Sequence, residues 1–131
     1  MSTITEFYKK VSYIQENLNA PKGQTNNFGK YKYRSAEDIL LALKPLAAKN
    51  GLIVLVSDSI ELIGERYYVK STALLTDGQN TVQSEAFARE ALSKKGMDDG
   101  QVTGSTSSYA RKYALNGLLC IDDNKDADSM K

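Results

Sequence analysis

The chain has 131 residues, 17 basic against 16 acidic, for a net charge of +1, with 41% hydrophobic and 25% charged residues. That length supports a single core, and that balance is the one of a soluble globular domain, neither disordered nor membrane-embedded. With no His and one Cys, Ser-His and Cys-His catalysis, an internal disulfide and the usual zinc or copper ligand sets are all excluded.

The apolar positions Ile4, Phe7, Val11, Ile14 and Leu18 recur at three- and four-residue steps, which predicts an amphipathic helix over 3–19. The first residues therefore read as a helix start, with no basic-then-apolar leader. Residues 20–27 are rich in breakers and predict a loop. A short strand over 29–34 follows, with Tyr31 and Tyr33 on one face and Lys30, Lys32 and Arg34 on the other. Ser35-Ala-Glu-Asp38 resembles a capping box and opens a helix through Ile39, Leu40, Leu43 and Leu46. Pro45 is expected to kink or divide that helix, and Asn50-Gly51 to cap it.

A meander comes next. Residues 52–57 form a β-branched run, which 60–63 either continues or pairs with. Residues 66–76 alternate Tyr68, Lys70 and Thr72 against Tyr67, Val69 and Ser71, then Asp77-Gly78 turns the chain into a further strand over 80–89. Residues 91–100 read as a mobile loop. A last helix is expected from Gln101 to about Asn116, ended by Gly117. Cys120, set between Leu119 and Ile121, is expected to be a buried core thiol. Aliphatic runs such as 39–43 and 52–56 are far too short to cross a bilayer. The fold class is α+β with a central antiparallel meander of three to five strands, in the order α-β-α-β-β-β-α. One domain is expected over 1–121, followed by a polar, loose tail over 122–131.

Charge is unevenly placed. The tail carries four acids and two lysines, which leaves 15 basic and 12 acidic residues in 1–121, a net of +3. Lys22, Lys30, Lys32 and Arg34 form an acid-free cluster interleaved with Phe28, Tyr31 and Tyr33. A second group comprises Arg89, Lys94, Lys95, Arg111 and Lys112, with Tyr109 and Tyr113 at its flank. Cations supply phosphate contacts and aromatics supply stacking faces, the pairing that single-stranded nucleic acid requires. The plainer reading of such clusters is a solvated face.

Residues 103–119 make an unusual helix, small and hydroxylated in their first turns. Ser107, Ser108 and Arg111 are expected to share one face, where hydroxyls beside a guanidinium form a phosphate cradle. The alternative is that the small residues permit close packing while Arg111 and Lys112 point to water.

Gly104-Ser-Thr-Ser-Ser-Tyr-Ala-Arg-Lys-Tyr-Ala-Leu115, followed by Asp122-Asp-Asn-Lys-Asp-Ala-Asp128, resembles the ERF family of phage recombination proteins. Lys30-Tyr-Lys-Tyr-Arg-Ser-Ala-Glu-Asp-Ile39 and Leu43-Lys-Pro-Leu-Ala-Ala-Lys-Asn-Gly-Leu52 match that family in order and spacing. The resemblance implies ATP-independent annealing of complementary single-stranded DNA in phage homologous recombination, in the cytoplasm of a bacterial host. It also implies a β-β-β-α core like that of the eukaryotic single-strand annealing proteins, which assemble into rings with DNA in an outer groove. The expected partners are single-stranded DNA, the annealed duplex intermediate, further copies of the chain in a ring or filament, and a host or phage single-strand-binding protein.

By motif position the backbone-binding residues carried over are Arg111 and Lys112. Lys30, Lys32, Arg34, Arg89, Lys94 and Lys95, with Ser107 and Ser108, rest on local charge and hydroxyl content, and Tyr31, Tyr33, Tyr109 and Tyr113 are candidate stacking platforms. No catalytic residue, metal or cofactor is expected, since annealing makes and breaks no bond. The alternatives are a passive single-stranded DNA or RNA binder, a hydrolase or reductase, and a purely structural oligomer. Ser-x-x-Lys, Tyr-x-x-x-Lys and Gly-Lys-Ser/Thr are all absent from the helix region, which points away from an enzyme.

Overall fold

The structure, a computed structural model, describes residues 3–26, 31–90 and 99–121. Its elements are α1 (Ile4–Asn17), β1 (Gln24–Asn26), β2 (Tyr31–Tyr33), α2 (Ala36–Lys49), β3 (Ile53–Ile63), β4 (Arg66–Thr76), β5 (Thr81–Arg89) and α3 (Asp99–Leu119). The α+β class and the order of elements agree with the sequence expectation, with one addition. Strand β1 lies inside the expected loop and pairs antiparallel with β2, Thr25 opposite Lys32.

Local chemistry accounts for the first two helices. Thr3 caps α1 by accepting from the Glu6 N–H at 3.1 Å, and Phe7, Val11 and Ile14 are buried along one stripe. Ser35 and Asp38 make a reciprocal capping box at the start of α2: the Ser35 N–H donates to Asp38 Oδ2 at 2.9 Å and the Asp38 N–H to Ser35 Oγ at 3.1 Å. Pro45 does not divide α2, which runs unbroken through it. Pro45 sits on the exposed side of that helix, where water can satisfy the carbonyl its ring leaves unbonded.

The sheet follows the order β3-β4-β5, antiparallel throughout. The run at 60–63 continues β3, and Gly64 at φ 64° begins the two-residue turn into β4. The register sets Val54 opposite Leu75, Val56 opposite Ala73 and Asp58 opposite Ser71. Even-numbered residues of β3 and β5 and odd-numbered residues of β4 thus share the face that the helices cover. Val69, Ser71, Ala73 and Leu75 are buried there, and Val54, Val56, Val82 and Ala86 pack against the same core. The helices contribute Phe7 and Ile14, Ile39 and Leu43, then Ala114, Leu115, Leu118 and Leu119 to that one cluster.

Two expectations at the end of the chain are corrected. Gly117 does not end α3, which continues to Leu119. A Cβ at Gly117 would lie 2.5 Å from the Ser84 hydroxyl on β5, so glycine serves there to bring the helix against the sheet. Cys120 is exposed and adopts φ 56°. It occupies the left-handed position of a Schellman closure, in which the Ile121 N–H donates to the Asn116 carbonyl at 3.1 Å. The chain reverses at that residue, and its side chain turns away from the core. The expected loop over 91–100 is also shortened, because α3 already begins at Asp99. The expected tail over 122–131 lies outside the described residues.

Candidate nucleic-acid interface

The covered face of the sheet changes character along β3. Val54 and Val56 are apolar and packed, Asp58 is charged, and Ile60 and Leu62 are apolar again but exposed. α3 changes in step. Ala114 and Leu118 face the apolar end of the sheet, and Arg111 and Ser107, one and two turns earlier on that face, meet Asp58. The Ser107 hydroxyl donates to Asp58 Oδ2 at 2.5 Å, and the buried Ser71 hydroxyl donates to Oδ1 at 2.6 Å. Arg111 Nε donates to both carboxylate oxygens, at 3.0 and 3.2 Å.

Partial burial raises the Asp58 pKa, and the hydrogen bonds from Ser107, Ser71 and Arg111, with the guanidinium charge, together outweigh it. The carboxyl is therefore held below its ordinary value and is ionised at neutral pH. The Asp58 side chain is 20% exposed and that of Arg111 41% exposed. The contact thus lies at the rim of the core, open to solvent on the arginine side. Among the described residues, Arg111 Nε carries every hydrogen bond the guanidinium makes, and its Nη groups meet no acceptor.

Ser108 departs from the expectation that it shares a face with Ser107 and Arg111. Successive helical residues are rotated by about 100°, so Ser107 and Arg111, four apart, align while Ser108 is carried round to the exposed side. Lys112 is half-buried, and Tyr109 and Tyr113, four residues apart, are each about half exposed. Arg89 is exposed on the uncovered face of the sheet, opposite Tyr68 of β4, and so stands across the sheet from Arg111. Arg34 donates from Nε to the Ala20 carbonyl at 2.9 Å, tying the segment after β2 to the end of the α1 region. Tyr31, Lys32 and Tyr33 form β2, opposite β1. Lys30, Lys94 and Lys95 lie outside the described residues.

Two features escaped the residue-by-residue reading. Asp58 is one. Its signal was available in the alternation Val54, Val56, Asp58, Ile60, Leu62, which sets a single carboxylate on an apolar face. The other is the end of the β3–β4 hairpin, where Ile60, Leu62 and Tyr67 share the helix-side face yet remain more than half exposed. That surface adjoins the Asp58–Arg111 contact. Burial of this kind depends on where α3 begins, which periodicity along β3 does not reveal.

An antiparallel sheet with helices on one face defines an α+β domain, and at the rim of its core Arg111 stands paired with Asp58. The chain belongs to the ERF superfamily, whose profile matches residues 7–131. It is 64% identical over 124 residues to the Essential recombination function protein of Salmonella phage P22. The aligned part covers 95% of this chain and 60% of that relative's length. No solved structure matches the chain.

Proposed function

We propose that the chain acts in phage homologous recombination by binding single-stranded DNA and annealing complementary strands without a nucleotide cofactor. Annealing makes and breaks no bond, so the reading requires neither nucleophile nor metal. It requires a strand held by its phosphates with the bases left exposed for pairing. The observation that carries this reading is Arg111: it lies in the helix most like the ERF pattern, and its guanidinium is partly exposed with its Nη donors unused among the described residues. The adjoining Tyr67 supports the reading with an exposed aromatic face, and Ile60 and Leu62 with apolar surface beside it.

A domain of this size covers few nucleotides, so several copies in a ring or filament present a useful length. Within the described sheet the outer edges of β3 and β5 carry no partner strand, and they are the surfaces we assign to contacts between copies. Single-stranded DNA, the annealed duplex and a host or phage single-strand-binding protein are the corresponding partners.

The test is the pairing rate of two labelled complementary oligonucleotides, with and without the protein and without nucleotide. Acceleration that fades as salt rises is expected, because phosphate binding releases condensed counterions. Single-strand binding without acceleration would overturn annealing and leave a passive binder. Absence of both would overturn the reading entirely.

A further inference from the structure

We infer that Asp58 is a positioning residue: it pins Arg111 through Nε so that the Nη edge of the guanidinium is presented to a backbone phosphate of single-stranded nucleic acid. The inference rests on the proposed strand-binding reading. It deepens that reading by naming the chemical group bound and the residue that prepares the site.

The carboxylate is saturated by protein donors. Oδ1 accepts from Ser71 and Arg111, and Oδ2 accepts from Ser107 and Arg111. Ser71 is buried on β4 and Ser107 lies on α3, so the carboxylate is fixed from the sheet and the helix together. Arg111 is far from saturated. A guanidinium has five N–H donors in a rigid planar fork, and here Nε alone bonds to protein among the described residues. The four Nη hydrogens form a separate edge of the fork, matched to two oxygens of a phosphate. Anchoring Nε removes rotamer freedom that an exposed arginine would otherwise lose on binding.

The charge of Asp58 works in the other direction. A carboxylate near a bound phosphate repels it, so long-range electrostatics alone predicts tighter binding when Asp58 is neutralised. Positioning predicts looser binding. The sign of one substitution separates the two.

The experiment measures affinity for a labelled oligothymidylate by fluorescence anisotropy across a salt series. It uses the full chain and the variants Asp58→Asn, Arg111→Ala and Arg111→Lys, with far-UV circular dichroism to verify folding. Arg111→Ala is expected to weaken binding about tenfold and to flatten the salt dependence by about 0.7 in log–log slope. Asp58→Asn is expected to weaken binding by a comparable factor despite removing a negative charge. The double variant Asp58→Asn/Arg111→Ala should lose little more than Arg111→Ala alone.

Arg111→Lys leaves Asp58 in place and keeps the inference testable if Asp58→Asn fails to fold. A lysine ammonium drawn to Asp58 has no second edge to offer, so a loss close to that of Arg111→Ala is expected. Unchanged or tighter binding by folded Asp58→Asn, or wild-type binding by Arg111→Lys, would overturn the inference while strand binding by the parent chain stands. An unmodified chain that binds no oligothymidylate would remove the strand-binding reading and the inference with it.

Discussion

Helices α2 and α3 pack into one core, yet they are specified in opposite ways. α2 opens on the Ser35–Asp38 capping box, buries Ile39, Leu43 and Ala47 at four-residue steps, and closes on Gly51 at φ 73°. Its closure is complete: Leu52 N–H returns to the Ala47 carbonyl at 2.9 Å and Gly51 N–H to the Ala48 carbonyl at 3.1 Å. α3 opens through Gly, Thr and Ser residues of modest helix propensity. It closes in the same left-handed manner on Cys120, at φ 56°, with a side chain where α2 has none. Near its end the side-chain amide of Asn116 is buried without a hydrogen-bond partner among the described residues. α2 is held largely by its own sequence. α3 is held by what it touches: Asp58 and Ser84 on the sheet, and Gln15 of α1, which donates to the Leu118 carbonyl at 2.9 Å. Departures from local preference thus gather in the helix that carries the candidate site, as they do where function competes with stability.

The strongest way to break this comparison is to disturb the close approach of α3 to β5. Gly117→Val would put branched carbons into the space now held by the Ser84 side chain. It should destabilise the fold by about 2 kcal/mol, read as a lower urea midpoint. Gly117→Ala should be close to neutral, because the Ser84 hydroxyl can turn to another staggered rotamer while alanine improves helix propensity by about 1 kcal/mol. A Gly117→Val variant as stable as the parent would mean that α3 does not depend on that contact.

The same contrast explains what the sequence revealed. The stripe of α1, the capping box of α2, the Gly51 closure and the three strands of the meander all follow from residues close together in the chain. The end of α3 did not follow, because Gly117 has the look of a stop signal and its actual role is set by Ser84, more than thirty residues earlier. Strand β1 was equally hidden: Thr25 alone favours a strand, between Gln24 and an Asn26 that disfavours one, and the three are extended because β2 lies beside them. Within the candidate site, Arg111 and Ser107 were legible as a cationic, hydroxylated pair. Their common partner, Asp58, falls in the gap at 58–59 between the runs 52–57 and 60–63, which the sequence alone left either joined or paired and which is the middle of one eleven-residue strand.

A smaller effect sharpens the comparison of the two closures. In the left-handed region a Cβ crowds the following carbonyl, at a cost of about 1–2 kcal/mol. Cys120→Gly should therefore stabilise the protein, by about 0.5–1 kcal/mol once the greater freedom of glycine in the unfolded chain is included. Cys120→Ala keeps the Cβ and should leave stability nearly unchanged. Denaturation under reducing conditions measures both. Equal stability of the glycine and alanine variants would show that the strain at Cys120 is relieved elsewhere.

The smallest expected effect compares the carboxylates that serve the two helices. Asp38 is held below its ordinary value chiefly by the Ser35 backbone N–H, against a raising contribution from burial, with further help from the Ser35 hydroxyl and Gln24. For Asp58 burial is the largest influence and raises the pKa, while Ser107, Ser71 and Arg111 together lower it further than burial lifts it. Both folded values are depressed, so each carboxylate contributes stability that is fully present above the unfolded value near 3.8. That contribution is lost as pH falls through the lower folded value. Asp38→Asn and Asp58→Asn should each be less stable than the parent at neutral pH, with the gap closing as acid protonates the native carboxylate. Urea unfolding at neutral pH and in acid reads this directly. The Asp58 gap should also narrow in high salt, because part of it is the charge of Arg111, whereas the Asp38 gap, built on neutral donors, should persist. A gap at Asp58 that closed in acid but ignored salt would mean that its hydroxyl partners hold α3 to the sheet and the charge of the guanidinium contributes nothing to that hold.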